Sequence, residues 1–88
     1  MIKAKPSVEI YNALTKRGYT ILSCNMITQR RVMINYRVGV THTGGASYAG
    51  IEHSWDEDEE FDLREIIEEM DKKIKEFYLA DSMDESLD

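Results

Sequence analysis

The chain has 88 residues, 42% hydrophobic and 32% charged, which suits one domain of two packed layers and excludes a two-domain enzyme with an enclosed cleft. Its formal charge of −6 conceals an asymmetry. Through Ile51 seven bases stand against one acid, a net of +6, and from Glu52 onward sixteen acids stand against four bases, a net of −12.

Pro6-Ser7 marks a helix entrance with Ser7 as N-cap, and Ile10, Ala13 and Leu14 share one face at helical spacing. Lys16 and Arg17 suit the negative end of the helix dipole, and Gly18 suits the left-handed position that follows. The spacing predicts a helix from Val8 to Arg17. Tyr19–Met26 alternates and predicts a strand, with Leu22, Cys24 and Met26 on one face and Tyr19, Ile21 and Ser23 on the other. A reversal at Ile27–Arg30 leads into Arg31–Thr41, the clearest strand of the chain. There Val32, Ile34, Tyr36, Val38 and Val40 alternate with Arg31, Met33, Asn35 and Arg37. Thr43–Ala46 is a glycine-bearing turn, and Ser47–Trp55 predicts a third strand with Ala49, Ile51, His53 and Trp55 on one face.

The last helix has the strongest local signals. Asp62 fits the N-cap, Glu65 the N3 position of a capping box, and Phe61 the staple against Ile66. Leu63, Ile66, Ile67, Met70, Ile74, Phe77 and Tyr78 form an apolar stripe over 63–80. The expected fold is α+β in the order α-β-β-β-α, a three-stranded antiparallel sheet with both helices on one face. Residues 1–80 make the domain, and 81–88 an acidic, flexible tail. The other sheet face is open, and Tyr19, Ile21, Arg31, Met33 and Arg37 are its expected occupants.

Chemistry is sparse. One cysteine, Cys24, excludes an internal disulfide. Its place among Leu22 and Met26 points to a core thiol, not a nucleophile. Glu52, His53 and Asp56 match no established metal-ligand spacing, and the acidic run lacks the glycine of a calcium loop. No phosphate-binding glycine motif occurs. Neither catalysis, a metal nor a cofactor is expected. The opening MIKAKPSVEI has no apolar stretch of signal-peptide length, and no run reaches the ~20 apolar residues that span a bilayer, so the expected setting is cytoplasmic.

The α-β-β-β-α order over residues 7–80 resembles the topology of double-stranded-RNA-binding domains. That family places a lysine-rich start of its last helix on RNA phosphates. Here the equivalent stretch is Asp58-Glu59-Glu60-Phe61-Asp62, of opposite charge, which repels phosphate. In size and charge alone, the chain resembles phage-encoded inhibitors of host restriction or CRISPR nucleases.

Within the acidic half, 63–80 carries five acids and four bases, with Glu68–Lys72, Glu69–Lys73 and Asp71–Lys75 in favourable i, i+4 order. The excess lies in seven acids without a base from Glu52 to Asp62, and in four more over 81–88. Dipole complementarity at a helix start rewards one or two acids by about 0.3–1 kcal/mol each. Six acids in the seven positions Asp56–Asp62 exceed that need. If extended, they repeat about every 3.3 Å, near the phosphate spacing of one nucleic-acid strand.

The leading expectation is a non-enzymatic interaction or inhibitor protein. It presents Glu52, Asp56, Glu57, Asp58, Glu59, Glu60 and Asp62 to a basic partner, a nuclease or another nucleic-acid-binding protein, with Tyr19, Ile21 and Met33 adding apolar contact. One alternative is RNA or DNA binding through Lys16, Arg17, Arg30, Arg31 and Arg37. Another is a homo-oligomer joining the +6 part of one chain to the −12 part of the next.

Overall fold

A computed structural model describes the backbone of residues 5–86 and the side chains of residues 5–80. The elements are α1 (Pro6–Lys16), β1 (Ile21–Thr28), β2 (Arg31–Val40), β3 (Ala46–Ser54) and α2 (Leu63–Ser86), the α-β-β-β-α order of an α+β fold. The strands form an antiparallel meander in the order β1-β2-β3. Ile10 and Leu14 from α1 and Ile66 and Met70 from α2 meet Val32, Ile34, Tyr36, Val38 and Ile51 of the sheet in one core. Both helices therefore cover the same face. Full burial of an aliphatic side chain is worth about 1.5–3 kcal/mol, so this cluster is the main source of stability.

Helix α1 starts two residues earlier than the N-cap signal suggested. Lys5 is the N-cap in an extended conformation without a side-chain bond, and Pro6 occupies the first turn. Proline is preorganised there and has no N–H to satisfy, so it displaces Ser7 from the capping role. Ser7 is buried inside the helix, and its carbonyl accepts the Cys24 thiol at 3.3 Å. Burial pushes the Cys24 thiol up, in keeping with a packed core sulfur. At the other end Arg17 is the C-cap and Gly18, with φ of 101°, turns the chain toward β1.

Strand β1 departs from simple alternation. Ile21 pairs with Tyr36 and Ser23 with Asn35, so Leu22 is an extra residue, and a second shift between Met26 and Thr28 makes Ile27 another. The first bulge flips the strand. Tyr19 and Ile21 pack against the core beside Cys24 and Met26, whereas Leu22 is exposed. The expected placing of Tyr19 and Ile21 on the open face is thereby corrected, as is that of Leu22 in the core.

Strand β2 keeps Val32, Ile34, Tyr36 and Val38 buried. A register shift between Arg37 and Gly39 then adds Val38 as a bulge, and Val40 turns outward. Gly39 comes to lie under α2: a Cβ there would stand 2.5 Å from Phe77 Cε1. Only a bare backbone lets the Phe77 ring settle on the strand. In β3, Ile51 and His53 are buried, with Ala49 and Trp55 packed on the same side.

Helix α2 runs to Ser86, six residues beyond its expected end. Its 24 residues span about 36 Å, in a molecule of 56 × 21 × 20 Å. The backbone of 81–86 is helical where a flexible tail was expected; Leu87, Asp88 and the side chains of 81–88 lie outside the described residues. No helix among the described residues is long and apolar enough to cross a membrane.

Candidate functional site

The acidic segment is a short, anchored loop between β3 and α2. Its first end is tied to the β1–β2 turn, where the Trp55 N–H donates to the Arg30 carbonyl at 3.0 Å. Its second end is tied to the sheet, where the Asp62 N–H donates to His53 Nε2 at 3.1 Å. The His53 and Trp55 rings lie 5.8 Å apart, and Phe61 meets Trp55 edge-on at 5.9 Å. Three rings from the two ends of the loop thus form its base. The buried His53 acts as a latch, its ring nitrogen serving as acceptor.

At the tip, the Glu59 N–H donates to the Asp56 carbonyl at 3.0 Å and closes a turn. Asp56, Glu57, Asp58, Glu59 and Glu60 are all exposed. The turn gathers five carboxylates into a knob and replaces the extended row that would follow phosphate spacing. Asp62 has a different role. Its Oδ1 accepts the Arg64 and Glu65 N–H groups at 3.0 and 3.2 Å, so it caps α2 as its position implied. The latch supplies what a reciprocal Glu65 bond would give, since the Asp62 N–H is already taken by His53. These amides are those an anion would need at the helix start, and Asp62 occupies them.

Glu52 is likewise engaged. It lies on the open sheet face and forms an ion pair with Arg31 across the β2–β3 ladder. The acidic half and the basic half meet there, and one candidate from each is neutralised. The exposed acidic run is therefore Asp56–Glu60, shorter than the segment from Glu52 to Asp62.

The remaining candidates divide by position. Arg30 and Arg31 sit at the acidic end, beside the loop base. Arg17 and Arg37 line a cleft at the other end of the sheet, with Gly18, Gly39, Ile74 and Tyr78 among its walls. Lys16 is exposed on the last turn of α1. The five bases thus do not form one patch. Of the apolar contact residues, Met33 is on the open face and partly exposed, whereas Tyr19 and Ile21 face the core. The open face also carries the exposed Tyr48 and a polar pair: Asn35 Nδ2 donates to Ser23 Oγ at 2.9 Å, and Gly50 leaves room for the Asn35 side chain.

Sequence reasoning missed the latch because a lone histidine in an alternating strand reads as core; its nine-residue separation from Asp62 carries no motif. Among the described residues no group of three His, Cys, Asp or Glu side chains could hold a metal ion. Comparison of the chain with protein-family models, curated proteins and solved structures finds no match.

Proposed function

We propose that this is a small, non-enzymatic interaction protein that presents the carboxylates of Asp56–Glu60 to a basic protein. The partner class is a nuclease or another protein with a cationic groove for nucleic acid, met in a reducing cytoplasm. One observation carries the reading: the acidic tip is mounted on a base pinned at both ends and packed by His53, Trp55 and Phe61. Five like charges in a turn repel one another within the ~8 Å Debye length. A loop serving only solubility gains nothing from being held in that state, whereas a docking element gains preorganisation. The compact turn mimics nucleic acid in charge density and not in strand geometry. Charge of this kind raises the rate of encounter and its salt sensitivity.

The test is affinity capture from a cell lysate with wild type beside a variant carrying Asp56→Lys, Glu57→Lys, Asp58→Lys and Glu59→Lys. Wild type should retain a basic protein that the variant loses, with the fold unchanged by circular dichroism. Equal capture by both would remove the reading.

A further inference from the structure

We propose that the His53 latch is a pH-sensitive switch: protonation of its imidazole releases the acidic loop at the end that leads into α2. The switch concerns the loop's conformation and does not rest on the partner proposed above.

The bond itself carries the inference. A backbone N–H only donates, so His53 Nε2, 3.1 Å from the Asp62 nitrogen, is the acceptor and holds a lone pair. The ring is therefore neutral, with its proton on Nδ1. Its second proton, drawn from solvent, has only that same Nε2 to bind, and an imidazolium has no acceptor left. Two N–H groups would then face each other where one bond had been. Protonation and the latch bond thus exclude each other. The bond is complete while the ring is neutral and is lost as pH falls through the ring's titration. Histidine is the side chain whose charge ordinarily changes between about pH 5 and 8.

The surroundings supply no second anchor for the ring. Among the described residues, the Asp62 amide is the one hydrogen-bond partner of the His53 side chain. Across the β2–β3 ladder stands Val32, and Ile66 of α2 belongs to the same core. The charged groups around it are engaged or at the surface. The Asp62 carboxylate accepts the Arg64 and Glu65 amides, and the Arg64 side chain pairs with Glu68 in solvent. Glu52 and Arg31 pair on the opposite sheet face. Lys5 and Glu9 at the start of α1 and Arg30 of the β1–β2 turn are exposed. The remaining charge is the loop's own, the exposed carboxylates of Asp56–Glu60.

Release is confined to the loop. Asp62 keeps α2 capped through Oδ1, and its carbonyl still accepts the Ile66 N–H at 3.1 Å. The Trp55 N–H keeps its bond to Arg30. What comes free is 56–61, whose like charges repel one another and are restrained by the latch. The charged ring keeps the indole of Trp55, 5.8 Å away, as a face suited to a cation.

An NMR titration of the wild-type chain from about pH 8 to about pH 5, above the ~3.9–4.3 of ordinary carboxylates, tests this. The His53 ring nitrogens should report the Nδ1–H tautomer at the upper end. Their titration should share one midpoint with the amide shifts of residues 56–62. Protection of the Asp62 amide, relative to its intrinsic exchange, should fall by up to about tenfold per pH unit below that midpoint. His42→Asn removes the other histidine and should leave the response intact. His53→Gln offers a carbonyl acceptor that does not titrate, and its amides at 56–62 should stay in place over the same range. A His53 ring that titrates without moving those amides, or that stays neutral to about pH 5, would overturn the proposal. So would a response that survives in the Gln variant or disappears in His42→Asn. Should the Gln variant fail to fold, the wild-type titration decides alone.

Discussion

His53 illustrates how much one side chain decides in a small domain. Its imidazole fills a core position, faces the indole of Trp55 and accepts the Asp62 N–H. Replacing it with Phe keeps the ring and removes the acceptor, leaving a partly buried N–H unpaired, a loss of about 1–3 kcal/mol. Chemical denaturation should show that loss, and hydrogen exchange at the Asp62 amide should quicken. Unchanged exchange would show that the loop is held by the rings alone.

Two tyrosines carry a pH dependence. Burial, then the bond to Asp71, pushes the Tyr19 hydroxyl up to about 12. Burial, then the Glu69 carboxylate, does the same for Tyr36, whose hydroxyl donates to the Met70 carbonyl at 3.1 Å. An unfolded tyrosine ionises near ~10. The folded state therefore favours the neutral phenols, and their contribution is complete below that value. It should fall away as pH rises through about 12. Absorbance titration of the five tyrosines should resolve a late group, and Tyr19→Phe should remove one member of it.

Among the elements, β2 was the most legible because five β-formers alternate in it, and four of the five are buried as expected. Val40 is the exception, since the bulge at Val38 turns it outward. Bulges have no signature in such a sequence: Tyr19–Met26 alternates without a break, yet Leu22 is an extra residue and everything before it changes face. That single insertion puts Tyr19 and Ile21 on the core side, opposite to the face that the alternation predicts. The apolar stripe and the Asp62 cap mark helix α2, but they do not mark its end, because the stripe stops while the helical backbone continues to Ser86. The loop's acidity was plain in the sequence. Its anchoring was not, for it depends on contacts of β3 with the segment leading into α2.

The packing of α2 on β2 depends on Gly39, which the alternating pattern did not mark. Gly39→Ala would drive a Cβ into the Phe77 ring and should destabilise by about 1–3 kcal/mol. Combining it with Phe77→Leu should recover part of the loss, which thermal unfolding would register. Equal destabilisation with and without the Phe77 change would show that the ring is not what the glycine accommodates.

On the scale of the whole molecule, charge is arranged along the sheet. The acidic knob and its clamp lie where β2 begins, and Arg17 and Arg37 line a cleft toward its far end. Arg31 and Arg37 are six residues apart on that strand, or about 20 Å at ~3.3 Å per residue. The +6 and −12 halves of the sequence thus become an ion pair at Arg31–Glu52, an anionic turn at one end of the sheet and the arginines Arg17 and Arg37 toward the other. A chain with surfaces of opposite sign at opposite ends could also join head to tail. Light scattering across a salt series would reveal this as a mass that falls with ionic strength.

The central claim is that the anchored knob Asp56–Glu60 captures a basic protein by charge. The measurement that tests it most directly is the association rate of the captured partner at increasing ionic strength, for wild type and for the loop-reversed variant. Wild type should associate quickly at low salt and slow steeply as salt is added, with dissociation little changed, while the variant fails to associate. A wild-type rate indifferent to salt, or a variant that associates as fast, would contradict it.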